Sequence, residues 1–292
     1  MEKNEENEKK SRPFISKLII LFLFIGMIYL YARYVEPQNM TVKEYNLINE
    51  NIPSNFDGFS IVQFSDLELG STFFLDDLKK LITKINEINP DIVVFTGDIV
   101  SNSYTLKEKE KKILIEELSK IDPVIGKYAV RGDDDAYNGI YDEVMNESNF
   151  KDLSNSYELI YYKGLTPIVL YGLDSLRANR QDFSKTFSYP SPDEDTTYMP
   201  TYRILLAHEP DTASLVEDYN ISLMLSGHSH NSEINIPFIK DYYNIDGAKK
   251  YHDEYYRIGK MELFVSSGLG TSKFKMRFFD RPSISIFRLY TE

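Results

Sequence analysis

The chain has no cysteine, no tryptophan and only four histidines among 292 residues. Without cysteine there is no disulfide scaffold, no thiolate zinc site and no thiol nucleophile. Basic residues are also scarce: 33 Lys and Arg against 45 Asp and Glu give a net charge of -12. The first 35 residues hold six of the basic and four of the acidic ones, which leaves 27 against 41, a net of -14, for the rest. So acidic a body lacks the cationic footprint of a protein that binds nucleic acid. Any phosphate it handles needs a metal ion to reverse the local sign. Apolar residues, by contrast, make up 42% of the chain and aromatics 14%. That excludes a disordered chain and suffices for one large core with an appendage, or for two small domains.

The appendage comes first. After a charged tail, Leu18 to Ala32 is an unbroken apolar run between Lys17 and Arg33. Fifteen residues fall short of the roughly 20 that span a bilayer. Phe14 and Ile15 before the run, Tyr34 and Val35 after it, and snorkelling by Lys17 and Arg33 supply the difference. Lys3, Lys9, Lys10, Arg12 and Lys17 precede the run, and only Arg33 and Lys43 follow it closely. The rule of cytoplasmic positive charge then makes 1–17 a cytoplasmic tail and 18–35 a single membrane anchor, with the body extracytoplasmic at the cell membrane. The competing reading, a cleaved signal peptide, finds no small-x-small site before Glu36-Pro37. Residues 36–58 read as a linker with an initial strand.

From Phe59 onward, strand and helix alternate. Short apolar runs at Phe59 to Phe64, Asp91 to Thr96, Lys127 to Val130, Tyr202 to Ala207, Ile221 to Leu225 and Glu262 to Ser266 read as strands. Helical periodicity predicts helices over Leu75 to Ile88, Leu106 to Ile121 and Asp211 to Tyr219. Leu159 to Tyr162 and Ile168 to Tyr171 form a hairpin pattern, so the α/β sheet is expected to be mixed. Arg177 to Pro200, with Pro190 and Pro192, reads as a long polar loop.

The polar residues that matter fall where these strands end. Asp66 and Glu68 follow the first strand, Gly97-Asp98 the second and Gly132-Asp133-Asp134-Asp135 the third. His208 ends a fourth, and Gly227-His228-Ser229-His230 a fifth. Singly, each has a bland explanation: a turn aspartate, a solvated strand end, a buried structural histidine. Together, five strand ends that supply Asp, Glu and His form a mixed oxygen and nitrogen shell suited to divalent metals. His252 lies outside every cluster and is expected to sit away from the shell.

The blocks S-D-L-E-L-G, T-G-D-I-V, R-G-D-D-D, L-A-H-E-P-D and S-G-H-S-H resemble, in order, the five motifs of the calcineurin-like metallophosphoesterases, in their membrane-associated bacterial branch. The tail from Phe264 to Ser272 and from Arg277 to Ile286 resembles that branch's last strand and loop, so the likeness runs through 59–292. The resemblance implies a four-layer α/β/β/α sandwich and a hydrolase of a phosphomonoester, phosphodiester or pyrophosphate, acting through a metal-bridging hydroxide. It also implies two divalent ions, Mn, Fe or Zn. By block position Asp66, Glu68, Asp98 and His230 would hold one, and Asp98, Asp133, His208 and His228 the other. The anchor suits a lipid-linked phosphoester as substrate.

The departures are informative. Glu68 and Asp133 stand where the family has His and Asn, and Asp134 stands where it has its catalytic His. Asn231, Ser232 and Glu233 replace the branch's Gly-Gly-Gln. Four carboxylates around two divalent ions leave a neutral cluster where the family's is cationic, and a neutral cluster attracts a phosphate dianion less. The resemblance therefore admits two outcomes: a working hydrolase with a non-standard site, or an attenuated or silent relative that binds metal or a phosphorylated ligand.

Overall fold

The computed structural model describes residues 2–189, 199–236 and 245–292. Pro190 and Pro192 of the expected loop lie outside them. A long helix, α1 (Glu2–Leu30), continues through a π turn (Tyr31–Val35) and a 3-10 turn (Glu36–Gln38). Within it, Phe14–Gln38 is long and apolar enough to cross a membrane. The end of this helical stretch is fastened to the body. Arg277 N donates to the Ala32 carbonyl at 2.9 Å, Asp280 N to the Glu36 carboxylate at 2.8 Å, and the Gln38 amide to the Thr72 carbonyl at 2.9 Å.

The first sheet opens with β1 (Thr41–Ile48), β2 (Ser60–Phe64) and, after α2 (Leu75–Ile88), β3 (Ile92–Phe95). Helix α3 (Glu108–Ser119) leads to β4 (Gly126–Ala129); α4 (Asp135–Asn138) and α5 (Tyr141–Glu147) lead to β5 (Lys151–Asp152). The second sheet follows, with β6 (Ser156–Ile160), β7 (Ile168–Gly172), α6 (Phe183–Thr186), β8 (Arg203–Leu206), β9 (Leu223–Ser226), β10 (Tyr255–Ile258) and β11 (Met261–Val265). The chain closes on β12 (Ser283–Tyr290). The orders are β1-β12-β2-β3-β4-β5 and β10-β11-β9-β8-β7-β6, both mixed. The expected hairpin is the antiparallel pair β6 and β7.

Period-2 alternation assigns each residue a layer. Val62, Phe64, Val93 and Phe95 pack outward against Leu78, Leu81 and Ile85 of α2 and Leu114 and Leu118 of α3. Their neighbours Ile61, Ile92 and Val94 face the second sheet, where they meet Leu170, Ile204, Leu206 and Leu225. Val169, Leu205 and Met224 point the other way, onto Ala213 and Val216. Three apolar layers separate four structural ones, the expected sandwich. The fourth layer differs from the reading of one helix over Asp211 to Tyr219. It is two 3-10 turns, Pro210–Leu215 and Glu217–Tyr219, with Asn220 left-handed at their end.

The initial strand expected within 36–58 is β1, which runs parallel to β12 with eight-residue register, Thr41 opposite Ser283 and Ile48 opposite Tyr290. Its alternate residues stay half exposed, as befits an edge strand. Helix α3 is shorter than Leu106 to Ile121, because the Glu110 carboxylate accepts from Lys107 N at 2.9 Å and caps it there.

Candidate metal centre

The carboxyl ends of β2, β3 and β4 in one sheet face those of β8 and β9 in the other, and each candidate side chain follows one of these ends. Asp66, Glu68, Asp98, His228 and His230 have φ between 43° and 70°. A left-handed backbone costs a residue with a Cβ about 1–2 kcal/mol, and such strain concentrates at functional sites. The strained Asp98 turn is held by Asp135, whose carboxylate accepts from the backbone N–H of Asp98 at 2.8 Å, Ile99 at 2.9 Å and Gly132 at 3.0 Å. Gly132 has no alternative there, since a Cβ would strike the Asp98 carboxylate.

Asp98, Asp133, His208 and His228 each bring one ligand-type atom into a group spanning at most 4.8 Å, all four residues buried. His208 Nε2 lies 3.0 Å from Asp98 Oδ2 and 3.3 Å from Asp133 Oδ1, and His228 Nδ1 lies 3.1 Å from Asp133 Oδ1. The other nitrogen of each ring is occupied: His208 Nδ1 by the Thr96 carbonyl at 2.6 Å, His228 Nε2 by the Asp246 carbonyl at 2.8 Å. Carbonyls only accept, so both rings are protonated on the outer nitrogen and turn a bare lone pair inward unless they carry a second proton. Lone pairs facing carboxylate oxygens repel without a cation between them, and backbone orientation of the outer nitrogen is the usual support of a metal-binding imidazole. Asp133 Oδ1 and Glu68 Oε2 are buried without a hydrogen-bond partner. The donor set fits a divalent ion.

The remaining candidates lie alongside. Asp66 accepts from His228 N at 3.0 Å, and its Oδ1 is 3.4 Å from His230 Nε2. His230 Nε2 is 3.9 Å from Glu68 Oε1. Asp134 joins Glu68 and Asp98 in a second group within 4.8 Å. Its carboxylate accepts from Asn102 N at 3.2 Å and from the Asn102 side-chain amide, and its own N–H donates to Asp98 Oδ1 at 3.0 Å. The His252 ring is 4.0 Å from Asp253 and belongs to neither group.

Electrostatics follow the crowding. Burial, then the Asp98 charge, pushes the Glu68 carboxyl well above the usual range. Burial does the same to Asp98, against the pull of His208. Burial disfavours a charged His208 ring, but Asp98 and Asp133 outweigh it and raise its pKa well above the usual value. Burial also opposes ionisation of Asp133, yet the two imidazoles hold it far below the carboxylate range. Asp134 is pushed up to about 6 by burial and by Asp133.

Glu68, Asp98, Asp133, Asp134, His228 and His230 line a cavity of about 200 Å³, joined by Ile245, Arg177, Ser272 and Lys273. A larger cavity of about 580 Å³, lined in part by Asn51, Asn220 and Lys260, holds none of the candidates. Sequence reasoning missed the two cations. The Arg177 guanidinium pairs with Asp133. Its loop is pinned by the buried Glu209 carboxylate, which accepts from Leu176 N at 2.9 Å and Arg177 N at 3.0 Å. Glu233 pins the opposite loop in the same way, through Lys273 N at 3.2 Å and Phe274 N at 2.8 Å. Glu209 directly follows His208, which was the available signal; an exposed cation on a loop offers none.

The calcineurin-like phosphoesterase family model matches residues 59–232. An uncharacterized metallophosphoesterase of Bacillus subtilis (strain 168), YkuE, is 36% identical and covers 89% of both chains. The UDP-2,3-diacylglucosamine pyrophosphatase LpxG of Chlamydia trachomatis is 27% identical over 90% of this chain and 93% of its own. A Danio rerio protein named as a transmembrane protein with metallophosphoesterase domain is 27% identical over 74% of this chain and 50% of its own. With that family match and that bacterial relative, the chain belongs to the calcineurin-like phosphoesterases.

Proposed function

We propose that the chain is a membrane-anchored, extracytoplasmic phosphoesterase that uses two divalent ions at the strand ends. The observation that carries this reading is the meeting of Asp98, Asp133, His208 and His228, with the inner ring nitrogens turned toward carboxylate oxygens. These four hold one ion, and Asp66, Glu68, Asp98 and His230 the other, with Asp134 near enough to add an oxygen. When bound, such ions acidify water and polarise phosphoryl oxygens.

The chain's own residues do the rest. Arg177 and Lys273, on two loops at the cavity lip, bind the phosphoryl oxygens and offset the extra carboxylates. Asp134, at about 6, is mostly ionised at neutral pH, and two Asn102 donors hold it in that form. With a pKa that close to neutral it is placed to act as a weak general acid at the position of the family's imidazole.

The membrane reading is supported by the apolar stretch Phe14–Gln38 and by the Lys/Arg excess before it. A relative named for a diacylated, UDP-linked pyrophosphate supports a lipid-linked phosphoanhydride or phosphoester as substrate. The test is hydrolysis of bis(p-nitrophenyl) phosphate and p-nitrophenyl phosphate by purified full-length protein, after chelation and after add-back of Mn, Fe or Zn. Metal-restored turnover supports the reading. Full metal occupancy without turnover of either ester favours the silent relative, for which the carboxylate-rich shell is the argument.

A further inference from the structure

We propose that the loop 272–281 is a bilayer-contacting surface that holds the cavity mouth against the membrane from which the anchor emerges. The proposal rests on the anchor reading above. One end of this loop, Ser272 and Lys273, lines the cavity. Its other end is bonded to the last turns of the membrane helix, through Arg277 N to Ala32 and Asp280 N to Glu36. The loop therefore bridges the helix exit and the site.

Its composition suits a lipid interface. In a body whose net charge is strongly negative, the loop exposes Lys273, Lys275 and Arg281. Between them Phe279 is 67% exposed, its ring centroid 4.2 Å from that of Phe278. Phe279 also has a φ of 58°, an unfavourable conformation for a bulky residue. The fold enforces it: Arg277, fully buried, donates to the carbonyls of Ser267 at 2.6 Å and Gly270 at 2.6 Å and to the Asp280 carboxylate at 2.7 Å. A rigid mount that turns an aromatic ring to the outside, flanked by cations, matches the anionic head groups and apolar margin of a bilayer.

The absence of tryptophan from the chain makes a direct test possible. Single-tryptophan variants of the full-length protein are reconstituted in phosphatidylcholine and phosphatidylglycerol vesicles containing brominated lipid. Phe22→Trp reports the anchor, Phe279→Trp and Lys275→Trp the loop, and Tyr161→Trp the far end of the β6–β7 hairpin. The expected result is loss of most emission at 22 and a clear loss with a blue shift at 279 and 275, with 161 unquenched. Lys275→Trp keeps the test decisive if an indole is poorly accepted at 279. Quenching at 22 alone overturns the loop proposal and leaves the anchor standing. Quenching at none of the four overturns both, and equal quenching at 161 also overturns the loop proposal.

Discussion

The Nδ1 of His208 lies 2.6 Å from the carbonyl oxygen of Thr96, which commits the ring's other nitrogen to the interior, 3.0 Å from Asp98. Thr96 directly follows β3, just before the Asp98 turn, so one strand end fixes both the imidazole's orientation and the carboxylate it faces. His208→Ala is expected to abolish occupancy at the ion proposed for Asp98, Asp133, His208 and His228, with the secondary structure retained. Metal content by mass spectrometry, read beside far-UV circular dichroism, checks it. Gly132→Ala is expected to produce the same loss by displacing the Asp98 carboxylate.

Stability of the metal-free protein should fall as pH rises. Glu68, Asp98 and His208 all have folded pKa values above their ordinary 4.5, 3.8 and 6.5. The folded state then binds more protons than the unfolded one, so the stability these groups contribute is present at low pH and lost as pH climbs. Two groups held low have the opposite sign, Asp133 only below its ordinary 3.8 and His230, lowered by burial, only below its ordinary 6.5, so the fall belongs to the neutral and alkaline range. Divalent ions displace the same protons, so the loaded protein should instead gain stability toward pH 8. Thermal melts at pH 5.5 and 8, with and without chelator, separate the two trends.

Arg177→Met should lower kcat/KM for bis(p-nitrophenyl) phosphate by about 10- to 100-fold, the loss of one charge-assisted hydrogen bond of about 1.5–3 kcal/mol. Metal content should remain, because Arg177 is not itself a ligand: it pairs with Asp133 and lies 3.9 Å from the Asp246 carboxylate. Steady-state kinetics with matched metal analysis reads both.

Ser232→Gly should stabilise the fold. Ser232 has a φ of 73° in a run of left-handed residues from His230 to Glu233, where the related branch carries glycines. Relief of the Cβ strain, less the added freedom of glycine in the unfolded chain, leaves a gain of about 1 kcal/mol. That corresponds to a rise in Tm of roughly 2–4 °C for a body of this size, readable by calorimetry.

The legible parts of the fold were those with local signals. Leu75 to Ile88 repeats its apolar residues at helical spacing and stops at Asn89-Pro90, and the helix has those bounds. Asp211 to Tyr219 carries a similar pattern, but Val216, with φ -116° and ψ 13°, breaks it into two 3-10 turns. The initial strand of 36–58 was legible, but its partner was not: β12 lies 242 residues away in register. The strand-end candidates were visible because each Asp, Glu or His follows an apolar strand, and Glu68, Asp98, Asp133, His228 and His230 line one cavity. The roles of Arg177 and Lys273 were not visible, since they come from loops, pinned by Glu209 and Glu233, that meet only in three dimensions.

The central claim is that these strand ends form a working two-ion centre. Its most direct test is metal stoichiometry of the purified full-length protein, measured in parallel with chelator-sensitive hydrolysis of bis(p-nitrophenyl) phosphate. Two divalent ions per chain, one of them lost in His208→Ala, with turnover that disappears on chelation and returns with metal, is the expected result. A chain that takes up no divalent ion when Mn, Fe or Zn is supplied, or whose hydrolysis ignores chelation, would contradict it.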